Sequence, residues 1–277
     1  MRLGGPINTP NSGPQCWIES LQAAGYRAAY APVGIEADEA SVRAYAKAAR
    51  DADIVIAEVG VWNNPLAAEA GERNAAIEKC KACLDLAERI GARCCVNIAG
   101  SRGAKWDGPS ELDLTEETFE RIVVSVREII DAVRPRRTFY TLEPMPWMYP
   151  DSPDNYLRLI QAIDRPAFAV HLDPVNMIAS PQRYFANAAF LRECFQKLGR
   201  YIKSCHAKDI LLRDHLTTHL DEVRPGLGRL DYRTFLHAAG KLDPDLPIML
   251  EHLPAAEDYT QAAAYVRQVA AQESLAI

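Results

Sequence analysis

The chain has 277 residues, 48% of them hydrophobic and 25% charged, with a formal net charge of -6. This composition belongs to a globular protein with a core large enough for an α/β barrel, which takes about 250 residues as one domain. The negative charge argues against a phosphate-backbone binder, which needs a basic face, so the expected partners are small molecules and no nucleic acid.

Along the chain, apolar runs alternate with helical patterns. The opening MRLGGPINTPNSG has no apolar stretch of signal-peptide length, and no later run approaches the roughly 20 apolar residues of a membrane span. A cytoplasmic location and no membrane partner are therefore expected. Strands are predicted at Arg2 to Ile7, Arg27 to Tyr30, and Asp53 to Val59, the last ending with Glu58 ahead of Trp62 and Asn63. Cys80 and Cys83 form a CxxC, but Ile77, Cys80, Leu84 and Ala87 recur at helical spacing and no second pair completes a zinc site, so buried reduced thiols are expected. A fourth strand, Arg93 to Ile98, precedes an apolar helical stripe formed by Phe119, Ile122, Val123, Val126, Ile129, Ile130 and Val133. The fifth strand spans Thr138 to Glu143, the sixth Phe168 to Asp173, the seventh Tyr201 to His206 and the eighth Ile248 to Glu251. Ser152-Pro153 and Ser180-Pro181 read as helix N-caps with Pro in the first turn, and Asp231 as a further cap. No linker or change of composition divides the chain, so residues 1–277 are expected to form a single (β/α)8 TIM barrel. An open doubly wound sheet is the alternative, weakened because no glycine-rich phosphate fingerprint follows the first strand.

In such a barrel the C-terminal strand ends and the loops after them build the active site. The fifth strand ends TFYTLEP with Glu143, the sixth HLDPVN with Asp173, the seventh KSCHAKD with His206 and the eighth PIMLEHL with Glu251. Alternation puts Phe168, Val170 and Leu172 toward the helices and Asp173 into the mouth, with His171 one layer below it. By the same pattern Glu251 points inward and His252 away from it. Three carboxylates and an imidazole converging without a cation would repel and be costly to desolvate. The set therefore reads as a site for one divalent ion with Glu143, Asp173, His206 and Glu251 as ligands. This donor set favours Mn²⁺, Mg²⁺ or Co²⁺ over Zn²⁺, and four protein ligands leave two octahedral positions for substrate oxygens.

The fragments LEP, HLDPVNM, HAKD, RPGLG and LEHL together resemble the sugar phosphate isomerase/epimerase superfamily, the xylose isomerase-like barrels. These include ketose 3-epimerases, hydroxypyruvate isomerases and endonuclease IV, and the motifs are most similar to the first two. The resemblance implies that Glu143, Asp173, His206 and Glu251 hold one metal, that the two Glu residues also move a proton, and that Arg224 contacts substrate oxygens. It also implies a dimer or tetramer. Ketose 3-epimerases place a substrate-contacting His three residues after the metal Asp, where this chain has Asn176, and EPMPWMY lacks the family's second Glu. Both departures bear on which sugar is bound.

The reaction expected is proton movement at a carbon next to a carbonyl, through an enediolate that the cation stabilises. The fifth and eighth strands lie about 135° apart around an evenly spaced barrel, so Glu143 and Glu251 are expected to approach opposite faces of a ketose as an acid/base pair. Asp173 and His206 serve the metal alone. Asn176, Lys208, Asp209, Arg224 and Glu58 are expected to contact or support the substrate, and Trp62 and Trp147 to wall a sugar ring. The alternative is a metal-dependent lyase, dehydratase or deglycosidase acting on a 3-keto sugar or glycoside; a non-catalytic sugar-binding subunit is a third reading. An abasic-site endonuclease would gather several His around two or three zinc ions beneath a cationic surface, whereas one of six His joins the metal set here.

Overall fold

The computed structural model describes residues 1–7 and 13–277. Among these residues the strands are β1 (Arg2–Gly4), β2 (Ala28–Tyr30), β3 (Val55–Gly60), β4 (Cys94–Asn97), β5 (Phe139–Leu142), β6 (Phe168–Leu172), β7 (Ile202–Ala207), β8 (Asp209–Leu212), β9 (Leu220–Val223) and β10 (Pro247–Leu250). Eight of them close a parallel barrel in the order β1-β10-β7-β6-β5-β4-β3-β2, the expected (β/α)8 architecture. The helices are α1 (Gly13–Ala23), α2 (Glu39–Asp51), α3 (Ala70–Ile90), α4 (Glu116–Val133), α5 (Pro153–Ile163), α6 (Pro181–Phe185), α7 (Asn187–Leu198), α8 (Tyr232–Ala239) and α9 (Ala256–Gln272). None of them is long and apolar enough to cross a membrane.

Local chemistry starts the helices where the sequence expects. The Ser152 and Ser180 hydroxyls accept from the amides of Asn155 and Arg183, each with Pro at the first helical position, and Asp231 accepts from Thr234 N. The α4 stripe buries Phe119, Ile122, Val126, Ile129 and Ile130, while Val123 and Val133 are half-buried at its edges. Cys80 and Cys83 lie on the buried side of α3.

Two layers of core result. Outward strand residues such as Leu172, Ile248 and Leu250 pack with the helices, while Ala28, Ala57 and Met249 fill the barrel interior, flanked by Tyr30. The interior is narrow: a Cβ on Gly4 would lie 2.5 Å from the Ala28 carbonyl oxygen. The first strand is shorter than expected and leaves the sheet after Gly4, ahead of Pro6, which has no N–H for a ladder. The antiparallel ribbon β8-β9 has no counterpart among the expected strands. It follows β7 directly and hangs over the mouth rather than extending the barrel.

Candidate metal centre

Four strand ends converge at the mouth. One ligand atom from each of Glu143, Asp173, His206 and Glu251 lies within 4.8 Å of the other three. Backbone geometry aims them. The Asp173 Oδ1 accepts from the amides of Val175 (2.9 Å) and Asn176 (3.1 Å), so the turn DPVN is pinned by one carboxylate oxygen and the other, Oδ2, is left for the site. Asp173 Oδ2 and Glu251 Oε1 are buried without a hydrogen bond. Lys208 Nζ stands 2.8 and 2.5 Å from these two atoms as an ion-pair partner. Three buried carboxylates crowded on one point demand positive charge, which Lys208 supplies in part and a divalent cation would complete. An O,O,O,N donor set fits a hard or borderline divalent ion.

His206 Nδ1 faces the cluster, 2.8 Å from Glu251 Oε1 and 3.1 Å from Glu143 Oε1. Burial would lower its pKa, but Glu251, Glu143 and Glu58 together hold it well above the ordinary value. Burial next to Glu251 pushes the Glu143 carboxyl up to about 7. Glu251 goes the other way: burial opposes its ionisation, but His206 and Lys208 hold it below the usual carboxylate range.

The remaining predicted residues are placed as follows. Asn176 Nδ2 donates to Glu143 Oε1 (3.1 Å) and to the Pro144 carbonyl (3.0 Å), so it holds Glu143 in place. Lys208 is buried among the carboxylates rather than reaching outward. Asp209 is turned away from the mouth and accepts four backbone amides, from Ile210, Gly226, Gly228 and Leu230, which ties HAKD to RPGLG. A Cβ at Gly228 would sit 2.3 Å from Asp209 Oδ1, so only glycine fits that turn. Arg224 points toward Asp258, Nε to Oδ1 3.6 Å. Beyond the predicted set, Asn97 at the end of β4 exchanges hydrogen bonds with Asn63 and stiffens two loops. Glu58 does not reach the mouth; it is buried beneath His206, bonded to Ser204. His171 lies in the same layer, its ring centroid 4.0 Å from that of His206, and burial beside His206 lowers its pKa to about 4.

Two expectations about orientation are corrected. His252 does not face away from Glu251. Its left-handed backbone, φ 56°, breaks the alternation and brings Nε2 within 3.5 Å of Glu251 Oε2. Trp147 does not wall the cavity; its indole N–H donates to the Asp107 carbonyl (2.7 Å) and joins two loops. The cavity over the cluster measures about 440 Å³, with Tyr30, Trp62, Trp106 and Met145 beside Glu143 and Glu251. A second cleft of about 740 Å³ adjoins it and shares Trp62 and Trp106. Trp106 sits in an irregular loop and carries no periodic signal, whereas Tyr30 and Ser204 are open to detection as inward positions of their strands.

The family model described as xylose isomerase-like TIM barrel matches residues 18–269. No curated protein matches the chain. Among solved structures, endonuclease IV from Thermus thermophilus superposes with a TM-score of 0.74 at 16% identity, covering 98% of this chain and 100% of that one. A xylose isomerase-like TIM barrel protein from Mycobacterium smegmatis, solved in complex with magnesium, gives 0.70 at 15% identity, covering 99% and 98%. D-psicose 3-epimerase from Clostridium cellulolyticum, solved with D-tagatose, gives 0.68 at 13% identity, covering 97% and 99%. At these identities the likeness is one of fold.

Proposed function

The chain belongs to the xylose isomerase-like TIM barrel family, and from that premise we propose that it is a divalent-metal-dependent sugar isomerase or epimerase. The observation that carries this reading is the convergence of Glu143, Asp173, His206 and Glu251, whose ligand atoms lie within 4.8 Å of one another at the barrel mouth. These four residues would hold Mn²⁺, Mg²⁺ or Co²⁺, and magnesium accompanies the related M. smegmatis barrel. When bound, such an ion supplies Lewis-acid stabilisation of the negative charge that develops on a carbonyl oxygen.

The residues do the rest. Glu143 and Glu251, whose carboxylate oxygens lie within 4.8 Å of each other beside the cavity, suit the taking and giving of a proton. Return of the proton to the opposite face inverts a centre; return to the neighbouring carbon interconverts aldose and ketose. Asn176 keeps Glu143 aimed, Lys208 supplies a counter-charge to Asp173 and Glu251, and Trp62 and Trp106 exclude water beside a sugar ring.

A second reading draws on the two clefts that meet at Trp62 and Trp106, which provide room beyond one ring. It is a lyase or deglycosidase acting on a 3-keto glycoside. Incubation of the metal-loaded protein with ketoses and 3-keto glycosides in D₂O separates the two. Mass-conserving deuterium exchange at a carbon next to the carbonyl is expected. Fragment release without exchange would replace the isomerase by the lyase, and absence of bound metal after reconstitution would remove the basis of both.

A further inference from the structure

We propose that Glu58 is a positioning residue for His206, a carboxylate sunk in the barrel that turns the imidazole so that Nδ1 faces Glu143, Asp173 and Glu251. The inference rests on the reading of that cluster as a metal site. Its first support is the backbone. Between β2 and β3 the register runs Ala28 to Val55, Ala29 to Ile56, and then Tyr30 to Glu58, so Ala57 is an extra residue. Strict alternation would put Ala57 and Glu58 on opposite faces. With the extra residue both face the interior: Ala57 packs with Ala28 and Met249, and Glu58 reaches β7. A bulge of this kind re-aims one side chain at the cost of a ladder position.

The second support is what Glu58 meets. Its Oε1 accepts from the Ser204 hydroxyl at 2.5 Å, and its Oε2 lies 3.4 Å from His206 Nε2. Ser204 and His206 are inward neighbours on β7, so one strand both anchors the carboxylate and presents the imidazole to it. The His171 ring, 4.0 Å away at an interplanar angle of 73°, closes the remaining side. Binding a metal requires His206 to be neutral, and a neutral imidazole has one N–H and one lone pair. With the N–H on Nε2 given to Glu58, the lone pair is on Nδ1, toward the cluster. The fold alone does not ask for this arrangement, since a buried charge is commonly replaced by an apolar group of like volume without loss of stability. Metal-bound His residues, by contrast, commonly donate their second nitrogen to a carboxylate.

A rival use of the same atoms is a second ion held by Glu58, His171 and His206, whose ligand atoms also lie within 4.8 Å of one another, with His171 Nδ1 3.5 Å from Glu58 Oε1 and neither His171 nitrogen in a hydrogen bond. That arrangement would require both His206 nitrogens to bind metal. The full chain and its Glu58→Leu, Glu58→Gln and Ser204→Ala variants should be titrated with Co²⁺, following the d–d absorption for stoichiometry and affinity. The metal-free unfolding midpoint reports on folding. Two-bond ¹H–¹⁵N spectra of the Cd²⁺-loaded protein report which His206 nitrogen carries the proton. The wild type should bind one equivalent with Nε2 protonated. Glu58→Leu should keep that stoichiometry but bind roughly 10- to 100-fold more weakly, with Glu58→Gln and Ser204→Ala in between. A mixed or inverted His206 tautomer in the variants is expected, an effect that loss of packing alone would not produce. If Glu58→Leu does not fold, the other two variants carry the test. Affinities within twofold of wild type would overturn the inference. So would two equivalents in the wild type falling to one in Glu58→Leu, because Glu58 would then be a ligand. A wild type that binds no Co²⁺ would overturn this inference together with the metal reading beneath it.

Discussion

The two arcs of the barrel mouth differ in kind. The ends of β5, β6, β7 and β10 carry Glu143, Asp173, His206 and Glu251, whereas the facing arc from β1 to β4 contributes Pro6, Tyr30, Trp62, Ile98 and Trp106 to the cavity. Charge is concentrated on one side, while the other is mainly apolar and aromatic, with Asp107 in the loop after β4 as its one charged cavity residue. The single carboxylate of the apolar arc's strands, Glu58, is sunk below the floor and spent on His206. The difference teaches a division of labour. Under the proposed function one arc would serve proton and metal chemistry and the other would exclude water and hold a ring, and the low dielectric of the second would strengthen the electrostatics of the first.

The sharpest way to break this division is to remove acid–base function from the charged arc. Glu143→Gln and Glu251→Gln should fold and lose roughly 10²- to 10⁴-fold in turnover, measured by deuterium exchange into substrate. Near-normal turnover in either variant would dissolve the distinction between the arcs. Metal removal tests the charged arc as a structural unit. With free metal at about 100 times its Kd, binding should add about 2.7 kcal/mol to the unfolding free energy, a difference that denaturant titrations with and without chelator would reveal. The smallest effect belongs to the other arc. Trp62→Ala and Trp106→Ala each remove about 1 to 2 kcal/mol of apolar contact and should raise KM roughly 5- to 30-fold while leaving metal content and the deuterium-exchange step intact. A fall in metal content in either Trp variant would show that the arcs are not separable.

Much of the charged arc is legible in the chain because each of its four residues ends a short apolar run, and a parallel barrel gathers such ends at one face. Asp173 in HLDPVN and His206 in KSCHAKD are examples. The apolar arc is less legible. Trp62 follows a strand and is expected at the mouth, but Trp106 lies in an irregular stretch between β4 and α4, where no period says which way a side chain points. Trp147 is the expected wall and Trp106 the actual one, because two loop tryptophans look alike until one is seen to spend its N–H on a carbonyl. Asp209, Asn176 and Glu58 look like substrate contacts for a similar reason: a polar residue near a strand end does not announce whether its partner is a ligand or the protein itself.

By itself the sequence determined the barrel and the strand ends that carry the clustered carboxylates and imidazole, since hydrophobic period and strand-end chemistry are local properties of a few successive residues. Tertiary structure decided which polar groups stay free and which are consumed. A single extra residue at Ala57 turned Glu58 inward beneath His206, and a left-handed residue at His252 turned that imidazole back toward Glu251. Such choices depend on register between strands and on backbone conformation at one residue, where competing arrangements differ by only about 1 to 3 kcal/mol and packing of the whole barrel selects among them.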